Sequence, residues 1–320
     1  MTVLLLLIGL ALILVGANYL TDGAAAVAKR FRVPEFVVGL TVVAIGTSTP
    51  ELVVSVLSAL AGKSEMAIGN VVGSNVFNTF VIVGICALIR PMPLTRSNIR
   101  RDIPFGMIGS VLLLLVACDR FIGLGDTNQI DRAEGICMFL LYVLLLIYTV
   151  RHAERPAEPA DPNDPAAAPG MRMWLAAVMI VGGLGALIGG GELFLHAATK
   201  IARHFGVSDS VIAITLVAGG TSLPELASSV VSLAKGRAEM ALGHVLGSNI
   251  ANILLILGLS ATVHPLTLGG ITPVDLGVVV LGSVLLFVSA FTFRRKAIDR
   301  VEGSILLAIY IAYLGYLLSK

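Results

Sequence analysis

The chain has 320 residues, of which 57% are hydrophobic and 13% are charged. Soluble domains carry about 25% charged residues, so the composition excludes a water-soluble globular protein and points to one built inside a bilayer. The net charge of +2 says little about partners and gives no sign of nucleic-acid binding, and Cys86, Cys118 and Cys137, at no metal-ligand spacing, read as small buried hydrophobes.

A spanning helix needs about 20 apolar residues. In chain order the apolar segments are 2–22, 34–61, 65–89, 103–119, 133–150, 173–199, 207–234, 239–262, 274–293 and 301–318. The first has no basic leader and no clear cleavage site, so it reads as a retained span rather than a signal peptide. Between the fifth and sixth lies a stretch with five prolines, 151–172, expected to be an extended, disordered linker. It divides the chain into five-helix halves, 1–150 and 173–320. An odd number of spans per half makes the second half enter the membrane with opposite polarity, as an inverted repeat. The expected fold is therefore an all-α membrane protein of ten transmembrane helices. Of the 22 Lys and Arg residues, only Lys63, Arg120, Arg132, Lys200, Arg203 and Lys320 fall on the side that carries the termini. The rest crowd the other side, so the positive-inside rule places both termini outside and the linker in the cytoplasm.

One block occurs twice. Residues 44–84 and 218–258 align at an offset of 174 with no gap, identical at 22 of 41 positions. Outside the block the offset also pairs Asn18 with Glu192 and Asp22 with His196. In the first helix of each block, Thr-Ser-x-Pro-Glu stops one half-helix and starts another. Ser48 or Thr49 suits the cap, and Pro50 suits the first turn because its missing N–H would be unpaired there anyway. In the second helix Gly-Ser-Asn is expected to loosen the helix, with Ser74 and Asn78 on one face; Ser248 and Asn252 repeat this. Broken backbone at membrane depth must be buried or line a polar cavity. The freed carbonyls of Ala44, Thr47, Ala218 and Thr221 join the Glu51 and Glu225 carboxylates, the hydroxyls of Ser48, Ser74, Ser222 and Ser248 and the amides of Asn78 and Asn252. The result is an all-oxygen donor set suited to Ca2+ or Na+. No His or Cys repeats between the blocks, which argues against zinc or copper.

Glu51 and Glu225 are the carboxylates expected near mid-membrane, where an ionisable residue is a functional candidate by default. One divalent cation, two monovalent cations or two protons would each neutralise the pair, which is a chemical basis for antiport. Glu65 and Glu239 also recur, at helix starts, where they suit the positive helix end. Asn75 and Asn249 read as holding the helix break, Gly69 and Gly243 as close-packing positions, Glu192 as an interfacial or paired residue, and His196 and His244 (which stands where the first block has Asn70) as local polar contacts, with coupling of pH to transport the alternative for His244.

The two blocks resemble the α-repeats of the calcium/cation antiporter superfamily, and most closely those of the prokaryotic sodium/calcium exchangers. The signature stands as Gly46–Glu51 with Gly69–Asn78, and degenerately as Gly220–Glu225 with Gly243–Asn252. The resemblance implies a core of broken helices 2, 3, 7 and 8 around a mid-membrane cluster of cation sites. It implies Glu51, Glu225 and the carbonyls of Thr47 and Thr221 as Ca2+ ligands. Ala44, Ala218, Ser48, Ser74, Ser222 and Ser248 would build flanking Na+ sites, and Asn78 and Asn252 would complete the centre. Spans one and six would slide against this core, and inward Na+ would drive Ca2+ export across the plasma or inner membrane. The expected unit is a monomer without a cofactor. Many such exchangers carry Asp where Asn252 stands; with two carboxylates the formal charge balances one Ca2+, two Na+ or two H+, which leaves an H+-driven or K+-assisted exchanger as the alternative. An intramembrane enzyme would need a Ser–His, paired Asp or HExxH arrangement that the sequence lacks, and the inverted duplication suits alternating access better; saturable, gradient-coupled exchange would exclude a channel.

Overall fold

The computed structural model describes residues 2–118, 128–153, 171–205, 218–293 and 296–319. Most of the expected 151–172 linker and the first half of the expected 207–234 span lie outside the described residues. The helices are α1 (Thr2–Phe31), α2 (Glu35–Thr47), α3 (Thr49–Leu60), α4 (Ser64–Ile89), α5 (Ile103–Ala117), α6 (Arg132–Arg151), α7 (Met173–His204), α8 (Leu223–Ala234), α9 (Ala238–Val263), α10 (Pro273–Ser289) and α11 (Arg300–Ser319). Among the described residues six of these are long and apolar enough to cross a membrane, or seven if the bent pair α2–α3 counts as one. Helices α5, α8 and α10 are apolar but shorter, at 15, 12 and 17 residues.

The break between α2 and α3 falls at Ser48, with a bend of 48°. Pro50 lies in the first turn of α3 and Pro224 in that of α8; without an N–H, neither can continue the hydrogen-bond ladder from the preceding turn. Two expectations need correction here. Ser48 is the residue at the cap position of α3, yet its side chain makes no cap hydrogen bond. The second helix of each block is also not interrupted. Each runs through as α4 or α9, and the irregularity is a π-helical stretch, Phe77–Ile82 in α4 and Ala251–Leu257 in α9. Gly-Ser-Asn removes no N–H, so the helix absorbs the irregularity as a wider turn, a feature common at functional sites. Ala44 likewise keeps a ladder bond, from the Ser48 N–H at 3.0 Å, and its carbonyl also lies 3.4 Å from the Thr47 hydroxyl.

Helix α9 forms the centre of the molecule: 89% of its apolar window is buried, against 17% for α11 and 22% for α6 and α7. The latter helices therefore present most of their surface to lipid. Cys86 and Cys118 are buried as expected, whereas Cys137 on α6 is exposed. Lipid gives no hydrophobic drive to helix association, so close contact of small residues does the work. Helices α1 and α7 pack along a run of glycines. A Cβ on Gly16 would stand 2.6 Å from the Gly183 carbonyl oxygen, and one on Gly190 2.9 Å from that of Gly9. The offset of 174 converts one of these contacts into the other. Helices α6 and α11 obey the same rule, Gly135 against the Gly258 carbonyl and Gly303 against that of Gly84. Two short antiparallel pairs, Met92–Pro93 (β1) with Ala297–Ile298 (β4) and Gln129–Ile130 (β2) with Leu266–Thr267 (β3), clip the connecting loops together.

Candidate ion-binding site

Glu51 and Glu225 each occupy the first turn of the helix that follows a break, and each is 1% exposed. The breaks aim them across the repeat boundary. Ser48 Oγ donates to Glu225 Oε1 at 3.0 Å, and Ser222 Oγ donates to Glu51 Oε1 at 3.3 Å. The arrangement is reciprocal, each half supplying the hydroxyl that orients the carboxylate of the other. Ser48 does not cap its own helix because its side chain is turned toward Glu225 and its backbone, at φ −79° and ψ 9°, is not the extended one from which a cap oxygen accepts the next N–H groups.

The second oxygen of each carboxylate has no partner, and the same holds for the hydroxyls of Ser74 and Ser248 and for the amides of Asn78 and Asn252. All these residues are buried, and buried polar atoms are rarely left unpaired. The unpartnered oxygens on them, Glu51 Oε2, Glu225 Oε2, Ser74 Oγ, Ser248 Oγ, Asn78 Oδ1 and Asn252 Oδ1, are hard donors, the kind that Ca2+ takes. The orphaned donor set therefore fits a hard cation as cargo. Thr47 is fully buried at the end of α2 and Thr221 lies in the matching turn, partly buried. Residue 218 begins the single helical turn Ala218–Gly220.

A cavity of about 1280 Å³ is lined, among the described residues, by Thr49, Pro50, Asn70, Gly73, Thr221 and Pro224, and also by Lys63 and Glu192. On the matching face of the second repeat, the backbone of Phe36 and Leu40 fills the space that a Cβ on Gly243 or Gly247 would need. Gly243 is thus a close-packing position as expected, whereas a Cβ on Gly69 would make only ordinary contact, with Ile271 at 3.4 Å. Asn249 Nδ2 donates to Thr79 Oγ1 at 2.8 Å, joining α9 to α4, while the Asn75 amide has no partner.

Sequence reasoning missed an ionic cluster. Lys235 and Arg237, in the turn between α8 and α9, reach Asp22 of α1 at 2.8 and 3.2 Å, and Arg237 also faces Glu35 at 3.6 Å. Arg237 further donates to the Thr21 carbonyl at 2.8 Å. The cluster fastens α1 to the core at one end. The offset places Ala61, Lys63 and His196 at the positions matching Lys235, Arg237 and Asp22, so the opposite end lacks this set. More than 200 residues separate the partners, and no local pattern marks them.

The family model described as sodium/calcium exchanger protein matches residues 1–151 and 175–319. The chain belongs to the sodium/calcium exchanger family. It is 35% identical over 319 residues to a putative antiporter, CaxA, of Alkalimonas amylolytica, covering 98% of each chain. It is 33% identical to the sodium/calcium exchanger MaX1 of Methanosarcina acetivorans, covering 97% of each. Among solved structures it is similar to the sodium-calcium exchanger NCX_Mj soaked without Na+ and Ca2+, with a TM-score of 0.84 and 30% identity over 98% of each chain. This exchanger family consists of multi-pass membrane antiporters, not enzymes.

Proposed function

We propose that this antiporter exchanges Ca2+ for Na+ by alternating access at the paired carboxylates Glu51 and Glu225. The observation that carries the reading is the reciprocal pair of serine–glutamate bonds, Ser48 to Glu225 and Ser222 to Glu51. Two carboxylates held in register, each with one oxygen unpartnered, offer a divalent cation or two monovalent cations the same neutralising charge. The backbone carbonyls of Thr47 and Thr221 add to the Ca2+ shell. Ser74, Ser248, Ala44 and Ala218, with Ser48 and Ser222, serve the flanking Na+ sites, and Asn78 and Asn252 close the centre.

The reading extends to the architecture. Ten spans form two inverted five-helix repeats, 1–150 and 173–320, joined by a cytoplasmic linker. The glycine contacts that interconvert under the 174-residue offset support this. Both termini lie outside a plasma or inner membrane, as the Lys and Arg distribution favours, and the unit is a monomer. Asn252 supports a second reading on stoichiometry. With a neutral amide there, a third Na+ would leave the centre net positive, so exchange is closer to electroneutral than three-for-one, or H+ or K+ shares the work.

In proteoliposomes loaded with Na+, radiolabelled Ca2+ uptake rises at least about tenfold over vesicles loaded with choline. Uptake driven by internal acid alone moves the chain to the proton-linked alternative. The membrane potential at which net Ca2+ flux reverses measures the coupling ratio. A reversal that tracks three Na+ per Ca2+ overturns the near-neutral stoichiometry.

A further inference from the structure

Among the polar differences between the duplicated blocks is a half-buried Asn70 against a buried His244, and this difference changes what is tied to what. Asn70 Nδ2 donates to Ser55 Oγ at 3.0 Å and to the Glu51 carbonyl at 3.3 Å, both in its own repeat. His244 keeps the matching contact, with Nδ1 2.9 Å from Ser229 Oγ. Its other nitrogen crosses the repeat boundary, and Nε2 lies 2.8 Å from Thr47 Oγ1.

Hydrogen counting assigns the roles. The Thr47 hydroxyl donates to the Val43 carbonyl at 3.1 Å, so toward the imidazole it accepts. Ser228 donates to the Pro224 carbonyl at 2.8 Å, which leaves Ser229 to donate to Nδ1. A neutral imidazole with its proton on Nε2 satisfies every bond in this chain. The chain runs from α8, one turn beyond Glu225, through α9, to the last turn of α2. It ends on Thr47, next to Ser48, which holds Glu225. Residue 70 makes no such reach toward Thr221.

We propose that His244 is a positioning residue for the cation site: it holds the broken end of α2 against the second repeat, and so sets where the Thr47 carbonyl and the Ser48 hydroxyl stand. This rests on the exchange reading above, with Thr47 as a Ca2+ ligand. The consequence is a built-in asymmetry. The break at Thr47–Ser48 is pinned across the repeat boundary, and the break at Thr221–Ser222 is not pinned this way.

The test uses the full-length protein with His244→Gln, His244→Asn, Thr47→Val and the double variant His244→Asn/Thr47→Val. A glutamine amide reaches about as far as Nε2 and keeps the bond to Thr47; the shorter asparagine amide keeps only the contact near Ser229. Ca2+ response is read as the KM and kcat of exchange and, separately, as the Ca2+ concentration that half-maximally stabilises the detergent-solubilised protein against heat. His244→Asn raises both Ca2+ values about fivefold, the effect of one neutral hydrogen bond, with kcat within about twofold. His244→Gln stays within about twofold of the parent on every measure. Thr47→Val matches His244→Asn, and the double variant is no worse than either single one. Should His244→Asn not fold, Thr47→Val removes the same bond from the other end and carries the same expectation. Equal KM values for His244→Asn and the parent, or effects that multiply in the double variant, overturn the proposal. A parent protein that is stabilised by Ca2+ but does not exchange it overturns the exchange reading, while the variants still rank by Ca2+ stabilisation.

Discussion

Replacing either Glu51 or Glu225 with glutamine reduces Na+-driven Ca2+ uptake at least about 100-fold without unfolding the protein. The substitution preserves shape. A glutamine carbonyl still accepts the bond from Ser222 or Ser48 that now reaches Oε1, so the reciprocal geometry survives. The change removes one unit of negative charge from a site buried to 1% exposure. A Ca2+ ion facing one carboxylate instead of two leaves an uncompensated charge in a low-dielectric setting, and breaking a buried charge pair costs about 3–5 kcal/mol. At about 1.4 kcal/mol per factor of ten, even the lower figure exceeds 100-fold. Fold is checked by monodispersity and by an unchanged thermal midpoint in the absence of Ca2+. A variant that keeps more than a third of the parent uptake rate would show that its carboxylate does not hold the cargo.

The candidate site was legible in the sequence because its residues are polar and sit in segments that are otherwise apolar. Glu51, Glu225 and the flanking Ser and Asn residues break the pattern twice, at one spacing, and Pro50 and Pro224 mark the helix breaks by removing an N–H. Other features left no such mark. The hydroxyl of Ser48 looks like a helix cap in sequence, since a cap needs only local neighbours. Its actual partner, Glu225, to which it donates, is 177 residues away. Gly-Ser-Asn suggested an interrupted helix, yet glycine and small polar residues merely weaken a helix, and here the surrounding apolar contacts carry α4 and α9 through as a π turn. His244 looked like a substitution within one repeat, and its bond to Thr47 becomes visible only once the two halves face each other.

Adding a single methyl group at Gly16 destabilises the protein by about 1–3 kcal/mol, whereas the same change at Gly185 does not. In a helix interior, alanine is favoured over glycine by about 1 kcal/mol, so Gly→Ala is stabilising wherever space allows. At Gly185 a Cβ meets nothing within 4 Å, and the helix preference decides the sign. At Gly16 the Cβ would stand 2.6 Å from the Gly183 carbonyl oxygen and 2.7 Å from the Leu187 nitrogen. Both are backbone atoms of a regular helix, and no side-chain rotation relieves the clash, so α1 and α7 must move apart. Each lost contact between them is uncompensated, because lipid fills the gap without hydrophobic gain. In a chain of this length 1 kcal/mol corresponds to about 2–4 °C or less, so Gly16→Ala lowers the thermal midpoint by a few degrees while Gly185→Ala holds or raises it. Transport discriminates further. If α1 and α7 slide along the core as one body, separating them slows exchange beyond the loss of folded protein, and turnover per folded molecule falls at Gly16→Ala but not at Gly185→Ala. Equal turnover in the two variants would mean that the glycine contact serves assembly alone, and that the moving unit must be sought elsewhere in the fold.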